Sequence, residues 1–341
     1  MKLTQNADLS QLNTFGVPAR AEILFEIESE EDLLEIPRLR HGQDLVLGGG
    51  SNILFVDDVP GHLILNRIGG IALLEQDSEH LLIEAGAGEN WHGLVCKCVN
   101  EGWHGLENLA LIPGLAGAAP IQNIGAYGAE LSEVLHSVTA WDWQNSAWTV
   151  LTPGQCRLGY RDSIFKQEPG DRYFITSIQL RLAKKYQPKL DYSGLEQAVL
   201  AVSKNPPFSA KDVFSTVVAL RQEKLPDPAV QGNAGSFFKN PVLEHDVAEQ
   251  LLQRYADLPH WPMKPNQVKL SAAALIQHCG LKGHQHLQAA VSNQHALVLV
   301  NLGGASGIDI WHLAQEVQDM VFQQFGVLLE PEPRIYHPRS R

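Results

Sequence analysis

One serine sits in the most constrained stretch of this chain. Gly232-Asn233-Ala234-Gly235-Ser236-Phe237-Phe238-Lys239-Asn240-Pro241 sets two glycines, which permit tight turning and close approach to a ligand, before Ser236 and a bulky phenylalanine pair after it. That pattern aims one hydroxyl; a plain loop joining two helices is the alternative. Arg161 follows Gly159-Tyr160, where a planar cation binds an anion if it lies in a cleft and is a surface charge otherwise. Arg221 and Lys224, three apart on one face of a helix end, suit a diphosphate or a solvated terminus. Glu332 stands between Pro331 and Pro333, which fix the backbone and position its carboxyl group.

Two glycine-rich segments add a second kind of chemistry. Gly48-Gly49-Gly50-Ser51-Asn52 follows the strand expected over 44–47, and consecutive backbone N–H groups there cradle a pyrophosphate without using side chains. No Gly-x-Gly-x-x-Gly opens a helix, so this is not the dinucleotide fingerprint. The stretch 111–128 is dense in small residues, which cannot build a core themselves and fit backbone packed on something large and flat. Together the two segments suggest one extended ligand, such as a flavin dinucleotide.

The elements that must carry these residues read as mixed. A strand over 21–27, a helix over 31–40 and strands over 44–47 and 53–56 make a βαβ-like unit. Strands over 62–66, 71–75 and 81–84 follow, then a helix over 90–100, a hairpin over 137–151 with Gln144-Asn145-Ser146 as its turn, and a strand over 173–182. Asn205-Pro206-Pro207 marks a change of domain, and Ser209 with Asp212 caps the next helix. Beyond it, helices over 243–255, 269–278 and 308–325 alternate with a strand over 296–300.

With 341 residues, two or three domains are expected. A net charge of −12 opposes a nucleic-acid or anionic-membrane surface, and no apolar run is long enough to span a bilayer. The start lacks the apolar core of a signal peptide, so the expected compartment is the cytoplasm. The four cysteines form no framework and are expected as free thiols, Cys96 and Cys98 on different helix faces. His284-x-His286 is the one close histidine pair, and no further ligand spacing completes it, so no metal is expected.

Asn13-Thr14-Phe15-Gly16, Gly48-Gly49-Gly50-Ser51-Asn52, Ile112-Pro113-Gly114, Gln122-Asn123-Ile124-Gly125-Ala126-Tyr127-Gly128, Gly159-Tyr160-Arg161-Asp162-Ser163, the Ser236 stretch and Leu329-Glu330-Pro331-Glu332 occur in a known order. Across nearly the whole chain they resemble the UDP-N-acetylenolpyruvoylglucosamine reductase family, in its longer subclass with a substrate lid. The resemblance implies an α+β fold: a two-part FAD-binding region of the vanillyl-alcohol-oxidase (PCMH) type over 1–68 and 69–205, and a C-terminal α+β substrate-binding domain over 206–341. The last strand of that domain could pack back on the flavin region.

It further implies FAD held by Gly48, Gly49, Gly50, Ser51, Asn52, Pro113, Gly114, Gln122, Asn123, Gly125, Ala126 and Tyr127. The attachment is noncovalent, because the first glycine loop holds no His or Cys. The implied reaction passes hydride from NADPH through the flavin to an enolpyruvyl double bond, with Ser236 as proton donor, Arg161 as the electrophile at the carboxylate and Glu332 as a third, protonated catalytic group. Tyr160, Tyr192, Lys224, Asn240 and Trp261 would meet a UDP-sugar, Trp261 standing in a lid over 258–266 where the family has a tyrosine. An indole donates one hydrogen bond and accepts none, so the lid contact changes. Leu115-Ala116-Gly117 also departs from the family's Thr-Val or Ser-Val after Pro-Gly. A monomer without nucleic-acid or membrane partners is expected. A carbohydrate oxidase on the same fold would need a base to deprotonate an alcohol, which nothing near Ser236 supplies. A flavin-carrying binding protein need not keep Ser236, Arg161 and Glu332 together.

Overall fold

The computed structural model describes residues 1–37, 39–40, 43–167, 172–203, 206–263 and 266–337. Position 38 of the expected first helix, Asn205 of the expected boundary and positions 264–265 of the expected lid lie outside the described residues.

The chain begins with an antiparallel pair, β1 (Lys2–Asp8) and β2 (Arg20–Ile27), in which Lys2 faces Glu26 and Asp8 faces Arg20. β1 carries no apolar period because it is an edge strand, exposed along most of its length. The expected helix over 31–40 is a single turn, α1 (Asp32–Glu35). Ile36, directly before Pro37, is extended, since the proline ring disfavours helical geometry in the residue ahead of it. β3 (Leu45–Leu47), β4 (Ile53–Phe55) and β5 (Val59–Asn66) follow, and β5 lies parallel between β2 and β3.

The second unit is an antiparallel sheet. It takes β6 (Ile71–Gln76), β7 (His80–Gly86), β10 (Leu135–Asp142), β11 (Ala147–Leu151) and β12 (Tyr173–Ala183) in the order β11-β10-β12-β7-β6. Between β7 and β10 run α2 (Trp91–Glu101) and a short hairpin, β8 (Gly125–Ala126) with β9 (Ala129–Glu130). α2 is capped by Asn90 and turns Trp91, Leu94, Val95 and Cys98 inward, while Cys96 is partly exposed. α3 (Pro153–Cys156), α4 (Leu195–Val202) and α5 (Ala210–Lys224) complete this region. α5 opens on a reciprocal Ser209–Asp212 cap. Sequence places α5 with the C-terminal unit, yet its Val213 and Val217 belong to the core of the second sheet, with Ile83, Leu94 and Ile178.

β13 (Asn233–Ser236) opens the remainder, followed by β14 (Val242–Glu244), α6 (His245–Arg254), β15 (His260–Met263) and β16 (Gln267–Leu270). The first residues of the helix expected over 269–278 instead finish β16, and Ser271 caps a shorter α7 (Ala272–His278). β17 (Gln285–His286), β18 (Ala289–Val291), β19 (Val298–Asn301), α8 (Gly307–Phe325) and β20 (Arg334–Tyr336) end the chain. One sheet runs β13-β19-β18-β17 and another β14-β16-β15. β20 returns to pair in parallel with β4, Arg334 beside Ile53 and Tyr336 beside Phe55. A single apolar core joins the ends of the chain: Leu24, Leu45 and Leu63 pack with Phe237, Phe238, Leu299, Val317 and Leu329.

Candidate functional site

Ser236 ends a strand whose pairing slips. Asn233 faces Val300 and Ser236 faces Val298, so three steps on β13 match two on β19, and Gly235 takes φ +70° within the bulge. The buried Asn233 accepts from the Gly235 N–H at 2.9 Å and holds this shape. Past the bulge, Phe237 and Phe238 are fully buried and anchor the backbone. The chain then pairs with its own end: Lys239 N–H donates to the Glu330 carbonyl at 2.9 Å, and Glu332 N–H donates to the Phe237 carbonyl at 2.8 Å. Glu332 therefore stands across from the residue that follows Ser236.

Arg161 reaches the same place from another direction. Gly159 and Asp162 close a tight turn, and Arg161 at its tip has φ +53°, a left-handed conformation that costs a non-glycine residue about 1 kcal/mol or more. Its Nη2 donates to the Gly125 carbonyl at 3.1 Å, and its Nε lies 3.0 Å from Glu332 Oε1. That approach is a charge contact set off the N–H axis, for Nε has no aligned hydrogen-bond acceptor. The Glu332 side chain is 12% exposed. Burial raises its pKa, and Arg161, Lys166 and Lys239, in that order, oppose the rise without cancelling it. Its main-chain carbonyl accepts from Asn52 Nδ2 at 3.3 Å and from Lys166 Nζ at 3.4 Å. Burial, then Lys239, lowers the pKa of Lys166.

The two glycine segments meet each other. A Cβ on Gly49 would lie 3.2 Å from Gly114 Cα, one on Gly114 would lie 2.8 Å from Ser51 Oγ, and one on Gly50, at φ +64°, would strike the Leu12 carbonyl oxygen at 1.9 Å. Asn52 Nδ2 also donates to Gln122 Oε1 at 2.9 Å, so the side chain that follows the first segment is committed to the second segment and to Glu332. Pro113 precedes Gly114, and Ala126, Tyr127 and Gly125 lie on or beside the β8–β9 hairpin. Asn123 is buried against Glu130, its Nδ2 at 2.9 Å from Oε2. The N–H groups of Gly49, Gly50, Ser51 and Asn52 find no acceptor among the described residues. Consecutive uncommitted N–H groups beside glycines fit the diphosphate of a dinucleotide cofactor.

On the other side of Arg161, Tyr160 lies under two cations, Arg161 Cζ at 5.7 Å and Lys269 Nζ at 5.0 Å from its ring centroid. Burial raises the Tyr160 pKa, and the Arg161 charge, then hydrogen bonding with Asn240, opposes the rise. Asn240 Oδ1 meanwhile accepts from Ala272 N–H at 3.0 Å at the start of α7. Lys269 also covers Trp261, 5.7 Å from its ring. These two residues face each other across β15 and β16, so the described part of the expected lid supplies one strand of an antiparallel pair. The Tyr192 ring meets Tyr127 edge-on at 5.1 Å. Lys224 is not part of the Arg161–Glu332 group; it lies at the exposed end of α5 and acts on His295, as Lys282 does. Burial first, then those two lysines, lowers the His295 pKa. Lys166, Lys269 and His295 escape a sequence reading because their partners come from distant segments of the chain. His284 and His286 both contact Glu316, at 3.0 and 2.7 Å. No cluster of three or more His, Cys, Asp or Glu able to hold a metal occurs among the described residues.

Comparison with known proteins agrees with this geometry. Residues 21–150 match the model of an FAD binding domain, and residues 227–336 match that of the UDP-N-acetylenolpyruvoylglucosamine reductase C-terminal domain. The reductase of that name from Chromobacterium violaceum is 45% identical over 98% of this chain and 99% of its own, and that from Dechloromonas aromatica is 46% identical with the same coverage. The solved UDP-N-acetylenolpyruvylglucosamine reductase of Thermus caldophilus superposes with a TM-score of 0.69 at 26% identity, covering 98% of each chain. Fold and site define an FAD-binding oxidoreductase of mixed α+β architecture, with an FAD binding domain ahead of an α+β C-terminal part. Within that class, the chain belongs to the UDP-N-acetylenolpyruvoylglucosamine reductase family. No helix among the described residues is long and apolar enough to cross a membrane.

Proposed function

We propose that this protein reduces the enolpyruvyl double bond of UDP-N-acetylglucosamine enolpyruvate to give UDP-N-acetylmuramate, a step in making peptidoglycan precursors. The observation that carries the reading is the approach of Arg161 to Glu332 at 3.0 Å, beside the strand ladder that holds Ser236, in a chain 45% identical to named reductases. Gly48, Gly49, Gly50, Ser51, Asn52, Pro113, Gly114, Gln122, Asn123, Gly125, Ala126 and Tyr127 would hold FAD noncovalently, the first loop having neither His nor Cys. Hydride transfer from NADPH to the substrate carbon β to the carboxylate is the chemistry that bound FAD supplies.

The chain's own residues manage the charge this leaves. Arg161 takes the substrate carboxylate, where a fixed planar cation stabilises the negative charge that develops. Taking it draws the guanidinium from Glu332 and removes the largest influence holding that carboxyl ionised. Glu332 then acts as a neutral acid and adds no repulsion. Ser236 delivers its proton to the carbon next to the carboxylate; a hydroxyl is a weak acid, and only a strongly basic enolate in a positioned site draws it. Tyr160, Tyr192, Lys224, Asn240 and Trp261 contact the UDP-sugar, with Lys269 bracing Tyr160 and Trp261. The protein works as a cytoplasmic monomer without nucleic-acid or membrane partners, a reading supported by its net charge of −12.

The test is turnover: purified protein with FAD, NADPH and UDP-N-acetylglucosamine enolpyruvate, with the product identified by mass. NADPH consumption that depends on the sugar nucleotide, with a product two hydrogens heavier, is expected. NADPH consumption that instead follows dissolved oxygen would contradict the reading.

A further inference from the structure

The Asn13–Gly16 turn carries none of the chemistry assigned above, yet it is wedged between two segments that do. Thr14 N–H donates to the Gly50 carbonyl at 3.0 Å, and the half-buried Thr14 hydroxyl donates to the same oxygen at 3.4 Å. On its other side the Thr14 carbonyl accepts from Asn233 N–H at 2.9 Å. One residue therefore spans the gap between the first glycine segment and the strand of Ser236. Both neighbours press close to the turn: a Cβ on Gly50 would lie 1.9 Å from the Leu12 carbonyl oxygen, and one on Gly232 would lie 2.2 Å from the Phe15 carbonyl oxygen.

The turn is held at many points. Asn13 is buried, donates from Nδ2 to the Leu9 and Val17 carbonyls at 2.8 and 3.0 Å, and accepts the Val17 N–H at 3.1 Å. Phe15 is buried edge-on against Phe237, ring centroids 6.2 Å apart, and its carbonyl accepts from Asn301 Nδ2 at 3.0 Å. Asn301 donates its own N–H to the Gly232 carbonyl at 2.8 Å. Close-packed interiors transmit strain, so a shift at Gly50 is passed through this turn to Asn233. Asn233 holds the Gly235 N–H at 2.9 Å, and Ser236 follows. The path from the glycine cradle to the hydroxyl runs Gly50, Thr14, Asn233, Gly235, Ser236, each step a hydrogen bond or a peptide link.

We propose that Thr14 is a positioning residue for the proton transfer: by joining the first glycine segment to the bulge of β13, it keeps the Ser236 hydroxyl in register with the cofactor cradle. The proposal rests on the FAD and Ser236 readings above. Acceptance of hydride from NADPH does not involve Ser236, so loosening this link acts on one half-reaction and spares the other.

The test uses the full-length protein with FAD, without oxygen, and the variants Thr14→Gly, Thr14→Ser and Thr14→Gly combined with Ser236→Ala. Thr14→Gly frees the backbone and removes the hydroxyl bond to Gly50. Bleaching by NADPH should stay within about twofold of wild type, while the return of colour with UDP-N-acetylglucosamine enolpyruvate should slow by about tenfold. Thr14→Ser keeps the hydroxyl and should recover to within about twofold of wild type. In the combined variant the return of colour should match that of Ser236→Ala alone within about twofold, because the link acts only through the Ser236 hydroxyl. Equal slowing of both half-reactions, an unchanged return of colour, or a further slowing of about tenfold on top of Ser236→Ala would overturn the proposal. Should Thr14→Gly not retain FAD, Thr14→Val decides, since it keeps the branched shape and loses the hydroxyl: a return slowed by about threefold is expected, and equality with wild type contradicts the assignment. Wild-type protein that takes up no FAD would overturn the flavin reading, and Ser236→Ala with a wild-type return of colour would overturn the Ser236 reading; both outcomes are separate from the Thr14 results.

Discussion

Glu332 is pulled two ways, by burial toward its neutral form and by Arg161, Lys166 and Lys239 toward its charged one, and burial wins. Below the ordinary value of 4.5 both folded and unfolded protein carry the proton, and there is no penalty. As pH rises past that value the unfolded chain ionises first, so the folded state binds more protons and stability falls until the folded carboxyl also ionises. Glutamine does not titrate. The stability of wild type relative to Glu332→Gln should therefore decline between about pH 4.5 and the raised folded value, then level off, as measured by denaturant unfolding at stepped pH. A difference that stays flat or grows across that window would contradict the raised pKa. Ser236, Arg161 and Glu332 are legible in the sequence because each sits in a short run of glycine or proline that constrains its backbone. Lys166 and Lys269 are not, since an ammonium group is informative only once its neighbours from distant segments, Glu332 and Tyr160, are known.

At the scale of elements, the site depends on two irregularities: the bulge in β13 that turns Ser236, and the return of β20 to β4 that fixes Glu332. The return is anchored by Tyr336, 5% exposed, edge-on to Phe55 at 5.9 Å and donating to the Gln43 carbonyl at 3.2 Å. Tyr336→Ala should cost about 3–5 kcal/mol of unfolding free energy, by the removal of a buried aromatic ring. It should also lower kcat more than it raises KM, because the strand that positions Glu332 loosens. A loss under about 1 kcal/mol would show that β20 is not the anchor. Strands and helices with clear period or caps, such as β2, β12, α5 and α8, can be read from the sequence. β1 and the β14–β16–β15 sheet cannot: β1 is a polar edge, and β15 and β16 are only four residues each, with Pro262 inside β15. The helix expected at 269 fails for the same reason, since Lys269 and Leu270 pair with Trp261 and His260 before α7 begins.

At the scale of the molecule, the chain closes on itself. One core unites strands from the first 65 residues with the C-terminal elements, another holds the second sheet with α5, and the glycine segments meet between residues of both. That closure brings Asn52, Arg161 and Glu332, far apart in sequence, within contact distance, and only the order of motifs along the chain hinted at it. In the proposed mechanism Ser236 supplies a proton to the substrate and takes no part in accepting hydride from NADPH. The direct measurement separates the two half-reactions of Ser236→Ala by anaerobic stopped-flow, bleaching the flavin absorbance with NADPH and then restoring it with UDP-N-acetylglucosamine enolpyruvate. Bleaching should proceed within a few-fold of wild type, while the return of colour should slow by about 10²–10⁴-fold. Equal loss in both half-reactions, or a return of colour at the wild-type rate, would contradict the role assigned to Ser236.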